Sequence, residues 1–129
     1  INADEGIDSG DILAKAQFKL KPNYTAKYLR LWDEEIAMML VQKLANKKGH
    51  RALTGTVQEK CENMRKRRTK ADNEVSIDRT ISEVVNHLRA CEDEHPAFFY
   101  HQGEKFYISV EPEHTPIFPE DLEVTFFCT

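Results

Sequence analysis

Residues 14 to 20 alternate cleanly, with Ala14, Ala16, Phe18 and Leu20 on one side and Lys15, Gln17 and Lys19 on the other. A period of two predicts a half-buried strand. Pro22 and Asn23 end it, and Asn23 or Thr25 can accept hydrogen bonds from the free amides that open a helix. Leu29, Trp32, Ile36, Met39, Leu40 and Leu44 recur at steps of three and four, which predicts a helix over about 26–46, with Gly49 able to end it. Its other face carries Lys27, Arg30, Asp33, Glu34 and Lys43, a solvated surface. Residues 50–74 show no sustained period and are expected to form a linker with room for one short element.

Thr80-Ile81-Ser82-Glu83 has capping-box spacing and opens a second helix with the stripe Ile81, Val84, Val85, Leu88 and Cys91, which Pro96 stops. Residues 98–100 and 105–110 read as two strands around Gln102-Gly103-Glu104, a hairpin. The tail carries Pro112, Pro116 and Pro119 before a strand-like run over 122–127.

Length and composition narrow the class. A chain of 129 residues fits one domain and can bury about two thirds of its unfolded surface. With 40% apolar and 31% charged residues, it has no apolar run near the about 18 residues of a membrane helix, and no signal peptide is visible. Cys61, Cys91 and Cys128 form neither a paired-cysteine metal signature nor an even disulfide set, which points to structural thiols in a reducing cytoplasm and to no metal site. The net charge of −4 argues against a general nucleic-acid binder, although the stretch 60–70 is strongly basic. The chain opens on Ile1 and enters a loop at once, so a piece of a longer protein is expected.

The candidate chemistry begins in that loop. Gly6 and Gly10 flank Asp8, and glycines let a backbone approach a ligand closely. By spacing alone the segment is equally a turn in which Asp8 bonds its own backbone. Asp4-Glu5-Gly6-Ile7-Asp8-Ser9-Gly10-Asp11-Ile12-Leu13 resembles the folate loop of the 10-formyltetrahydrofolate-dependent formyltransferases. Arg67-Arg68-Thr69, Ile77-Asp78, Leu88-Arg89-Ala90 and Pro96-Ala97-Phe98-Phe99 follow in that family's order. The chain is most similar to the sugar-nucleotide N-formyltransferases, over most of residues 1–110. Ala97 stands where the family usually has Gly, and His95 where an aromatic residue is common.

The resemblance implies transfer of a formyl group from 10-formyltetrahydrofolate to the amine of an amino-sugar nucleotide, through a tetrahedral intermediate whose oxygen needs fixed donors. The family's catalytic Asn and His lie upstream of this chain's counterpart, and no His here has the Asn-x-His context, so the isolated chain is expected to be inactive. Asp8 is the implied catalytic residue, holding the His or a water and helping relay a proton. Glu5, Gly6, Ile7, Asp8, Ser9 and Gly10 would bind the cofactor. Arg67 and Arg68 suit phosphate contacts, although a solvated linker explains them too. Phe99 and Tyr107 could stack on a nucleotide base, whereas strand aromatics more commonly fill a core or a dimer interface.

The expected architecture is α/β, the C-terminal part of a formyltransferase-type nucleotide-binding-like domain. Residues 1–49 would end the catalytic domain with loop, strand and long helix. Residues 50–74 would be the linker, and 75–129 a helix plus antiparallel hairpin that pairs two protomers as a homodimer. The expected partners are the upstream half of the enzyme and the amino-sugar nucleotide. Two alternatives stay open: a winged-helix-like nucleic-acid-binding module, and a protein like methionyl-tRNA formyltransferase.

Overall fold

The computed structural model describes residues 1, 9–48, 54–59 and 65–127. In chain order these hold strand β1 (Ala14–Gln17), helix α1 (Ala26–Lys48), a 3₁₀ turn (Lys70–Asn73), helix α2 (Ile81–Arg89), and strands β2 (Ala97–His101), β3 (Glu104–Ile108) and β4 (Glu123–Phe126). The strands form two antiparallel pairs, β1 with β4 and β2 with β3, a mixture of helix and sheet compatible with the α/β class. The chain groups into two compact units, neither contiguous in sequence: 1–19 with 32–64 and 118–129, and 20–31 with 65–117.

In the first unit the proline-rich tail returns to the strand that follows the opening loop. Ala14 to Gln17 pair with Phe126 to Glu123 in strict register, and Phe127 N–H donates to the Leu13 carbonyl at 2.8 Å. Ala14 and Ala16 are half-buried while Lys15 and Gln17 are exposed, as the alternation requires. The strand is shorter than its pattern, because the Lys19 amide turns to the Asp121 carboxylate at 3.0 Å and Leu20 is exposed. Trp32 is buried edge-on to Phe18 and Phe118, with ring centroids 6.5 and 6.1 Å away. One turn on, Ile36 is buried too, and Met39, Leu40 and Leu44 continue the half-buried stripe.

In the second unit α2 opens where its capping box lies. Thr80 Oγ1 accepts from the Glu83 amide at 3.3 Å, and Glu83 Oε2 accepts from the Thr80 amide at 3.0 Å. Val84 and Leu88 pack with Val75 and Ala97 into one apolar cluster, flanked by Cys91, Ile108 and Val110. Ile81, expected in the same stripe, sits exposed in the first turn. The hairpin pairs Ala97 to His101 with Ile108 to Glu104. Its turn is the two residues Gln102 and Gly103, both at positive φ (50° and 82°), the backbone that matches strand twist in a two-residue loop. Glu104 therefore belongs to β3 rather than to the turn. The Val75 amide donates to the Phe98 carbonyl at 2.7 Å and ties the segment before α2 to the hairpin.

Arg89 holds this unit's first segment in place. Its guanidinium donates from Nε to the Tyr24 carbonyl, from Nη2 to the Lys21 carbonyl and from Nη1 to Asn86 Oδ1, each at 2.8 Å. The turn at residues 21–24 that leads into α1 is thus fastened to the end of α2.

Candidate functional site

Of the loop assigned to the folate, Glu5, Gly6, Ile7 and Asp8 lie outside the described residues. Ser9 and Gly10 fall within them, Ser9 exposed and Gly10 buried. The Gly10 carbonyl accepts from Gln58 Nε2 at 2.6 Å, so this group fastens the loop to the chain. Two residues on, Ile12 and Thr56 exchange backbone hydrogen bonds of 2.8 and 3.0 Å. That pairing needs glycine at 55, where an added Cβ would stand 2.4 Å from the Ile12 carbonyl oxygen. The loop therefore leaves its last residues on a fixed support, and Gln58 and Gly55 are the parts that sequence reasoning missed. Both stand in a segment with no period to mark them.

The second cluster is a cleft of about 430 Å³ within residues 20–31 and 65–117. Arg67 and Arg68 both line it, with Arg30 from α1 and Lys70 from the 3₁₀ turn. Four cationic side chains thus face one carboxylate, Glu92. Glu92 is taken by Arg30, whose Nε donates to Glu92 Oε1 at 2.7 Å while its Nη2 also reaches that oxygen. Arg68 directs Nη2 at Cys91 Sγ, 3.3 Å away. Burial raises the Cys91 thiol above its ordinary pKa, partly offset by the Arg68 charge and hydrogen bond. Asp72 is occupied at the other end of the segment: its Oδ2 accepts from the Thr69 amide at 2.6 Å and from Thr69 Oγ1 at 3.0 Å.

Asn73 completes the wall and is buried. Its Nδ2 donates to the His95 carbonyl at 2.8 Å, which fixes the amide's orientation and leaves Oδ1 buried without a hydrogen-bond partner. An acceptor left this way costs roughly 1–3 kcal/mol. Arg30, Lys70, Asn73 and His95 were not legible as one site, because α1, the 3₁₀ turn and the segment before β2 are far apart along the chain and only folding collects them.

Phe99 and Tyr107 are not on this cleft's walls. Phe99 stacks on Phe106 at 5.5 Å between centroids, on the face that also carries Ala97 and Ile108. Tyr107 is opposite Phe98 in the register, on the other face, with Lys105 Nζ 5.4 Å from its ring centre and 4.1 Å from that of Phe98. Neighbouring strand positions point to opposite faces, so a single base cannot stack on both.

Among the described residues no helix is long and apolar enough to cross a membrane, and no group of three His, Cys, Asp or Glu is placed to hold a metal ion. No family model matches the chain, and neither a curated protein nor a solved structure does.

Proposed function

We propose that this chain is the C-terminal part of an enzyme that transfers a formyl group from 10-formyltetrahydrofolate to the amine of an amino-sugar nucleotide. The observation that carries the reading is the support under the loop's end. Gly10 is buried with its carbonyl held by Gln58, and Ile12 is paired with Thr56 immediately before β1. A turn that positions a carboxylate against a reacting group must itself be held still, and the loop carrying Asp8 leads into such an anchor. The sequence resemblance supplies the chemistry: Asp8 would position the proton-transferring groups, and the amides around it would receive the folate's ring. Gly10 contributes rigidity, since its carbonyl is engaged by the protein.

The experiment joins these residues to an upstream half bearing an Asn-x-His motif and measures formyl transfer to an amino-sugar nucleotide. Asp8→Asn should abolish most turnover while leaving the fold intact, and a variant with nearly full activity would remove Asp8 from the mechanism. Gln58→Leu should lower turnover in the same assay through the loop's support, without touching a reacting group.

A further inference from the structure

We infer that the outer edge of β1, from Ala14 to Phe18, is an interaction surface that takes one further strand, antiparallel, from the upstream half of the enzyme. The loop bearing Asp8 then becomes the connection of a β-hairpin. The identity of the occupant rests on the proposed function, whereas the open edge follows from the hydrogen bonding of β1 itself.

The direction of the backbone groups is fixed by the register. Phe127 N–H donates to the Leu13 carbonyl, and the next pairs are Ala14 with Phe126, Lys15 with Thr125, Ala16 with Val124 and Gln17 with Glu123. Hydrogen-bonded and non-bonded pairs alternate along an antiparallel ladder, so Lys15 and Gln17 turn their amides and carbonyls toward β4, and Ala14 and Ala16 turn theirs away. The Lys19 amide, again on the β4 side, meets the Asp121 carboxylate. On the opposite edge Ile12 exchanges two backbone bonds with Thr56, so this edge can pair. Beyond Ile12, Ala14 and Ala16 have no backbone partner there among the described residues. A row of such groups is a template for another strand. No proline stands between Leu13 and Leu20 to block it, and a two-stranded sheet is marginal without further strands or a packed helix. On the face of Ala14, Ala16 and Phe18, α1 supplies that cover: Trp32 lies edge-on to Phe18, and Lys47 Nζ is 4.5 Å from the ring centre of Phe126.

The connection chooses the occupant and its direction. Strands consecutive in sequence are neighbours about two thirds of the time, and a strand that enters through the opening loop reaches β1 by way of the segment 1–10. That is shorter than the roughly dozen residues or more of a parallel crossover, which leaves the antiparallel arrangement. At about 3.3 Å per residue the segment also spans the about 4.8 Å to a neighbouring strand with length to spare for passing Thr56. The incoming strand must alternate, with its apolar residues on the side of Ala14, Ala16 and Phe18.

The test compares the 129-residue chain with the longer chain that joins it to an upstream half bearing an Asn-x-His motif, by amide hydrogen exchange and cross-strand NOEs. In the 129-residue chain the Lys15 and Gln17 amides should be protected, while those of Ala14 and Ala16 exchange freely. In the longer chain the Ala14 and Ala16 amides should slow about a hundredfold or more. An NOE should then join Lys15 Hα to an Hα of the upstream half, the signature of an antiparallel neighbour. Ala16→Pro removes an N–H that β4 does not use, so the 129-residue chain should keep its β1–β4 pairing, whereas the longer chain should lose its added protection at Ala14. Free exchange at Ala14 and Ala16 in the longer chain would overturn the inference. So would protection of these amides that rises with the concentration of the 129-residue chain, which would assign the edge to a second copy. The readout needs neither folate nor turnover. Pairing without formyl transfer therefore counts against the enzyme reading alone, and transfer with Ala14 and Ala16 unprotected counts against the edge alone.

Discussion

Arg89 belongs to the Leu88-Arg89-Ala90 segment, and its three hydrogen bonds give it a structural task that can be measured. Replacing it with Met keeps most of the aliphatic stem and its packing but removes the donors to the Lys21 and Tyr24 carbonyls and to Asn86. A hydrogen bond from a charged donor contributes about 1.5–3 kcal/mol when well shielded. The Tyr24 carbonyl bond is part-buried, whereas the bonds to Lys21 and Asn86 are exposed, so the three together should amount to roughly 2–4 kcal/mol after solvent screening. For a chain of this length each kcal/mol moves Tm by roughly 3–6 °C, and Arg89→Met should melt on the order of 10 °C lower. Urea unfolding followed by circular dichroism gives the free energy directly, with an unchanged slope showing that the denatured state is not the cause. Arg89→Lys should recover less than about half of the loss, because an ammonium cannot present the planar fork that reaches two carbonyls at once. If Arg89→Met lost less than about 0.5 kcal/mol, the range of an ordinary surface change, the anchoring role would be refuted.

Three further outcomes follow from the packing and the caps. Leu88→Ala removes a side chain from the Val75, Val84, Ala97 cluster and should cost about 2–5 kcal/mol in urea unfolding; a cost under about 1 kcal/mol would mean that the cluster is not a packed core. Gly55→Ala should break the Ile12–Thr56 pairing, because the new methyl meets the Ile12 carbonyl at 2.4 Å; unaltered protection of the Thr56 amide in hydrogen exchange would contradict this. The Asp72 carboxyl is held below its ordinary pKa by the Thr69 amide and hydroxyl, which outweigh the opposing effect of desolvation, with smaller help from Lys66 and Arg68. A depressed native pKa means that the carboxylate's contribution is whole above the ordinary carboxyl range and fades as pH falls through the native value. Thr69→Ala removes the hydroxyl but keeps the amide, so it should raise the Asp72 midpoint only part of the way to the ordinary value in a carbon-detected NMR titration, and an unmoved midpoint would refute the hydroxyl's share and leave the depression to the amide.

Much of the local structure was written in the residue order. The Trp32–Ile36 stripe of α1, the Thr80–Glu83 capping box and the glycine turn of the hairpin are interactions between residues a few positions apart, so spacing alone specifies them. The same locality explains where the pattern failed: Leu20 lies three residues past the end of β1 and Ile81 in the first turn of α2, where the backbone leaves the face that the pattern assumes. The grouping of Arg30, Arg67, Arg68, Lys70 and Asn73 around one cleft was not legible, and neither was the return of β4 to β1. Those depend on which distant segments meet, which is decided by the summed burial of apolar side chains such as Trp32 against Phe118 and Val75 against Leu88. For the opening loop, the sequence by itself determined the glycines, the carboxylate and the strand that follows. Only the tertiary structure decided that Gly10 is clasped by Gln58, because a hydrogen-bond partner 48 residues away has no signature along the chain.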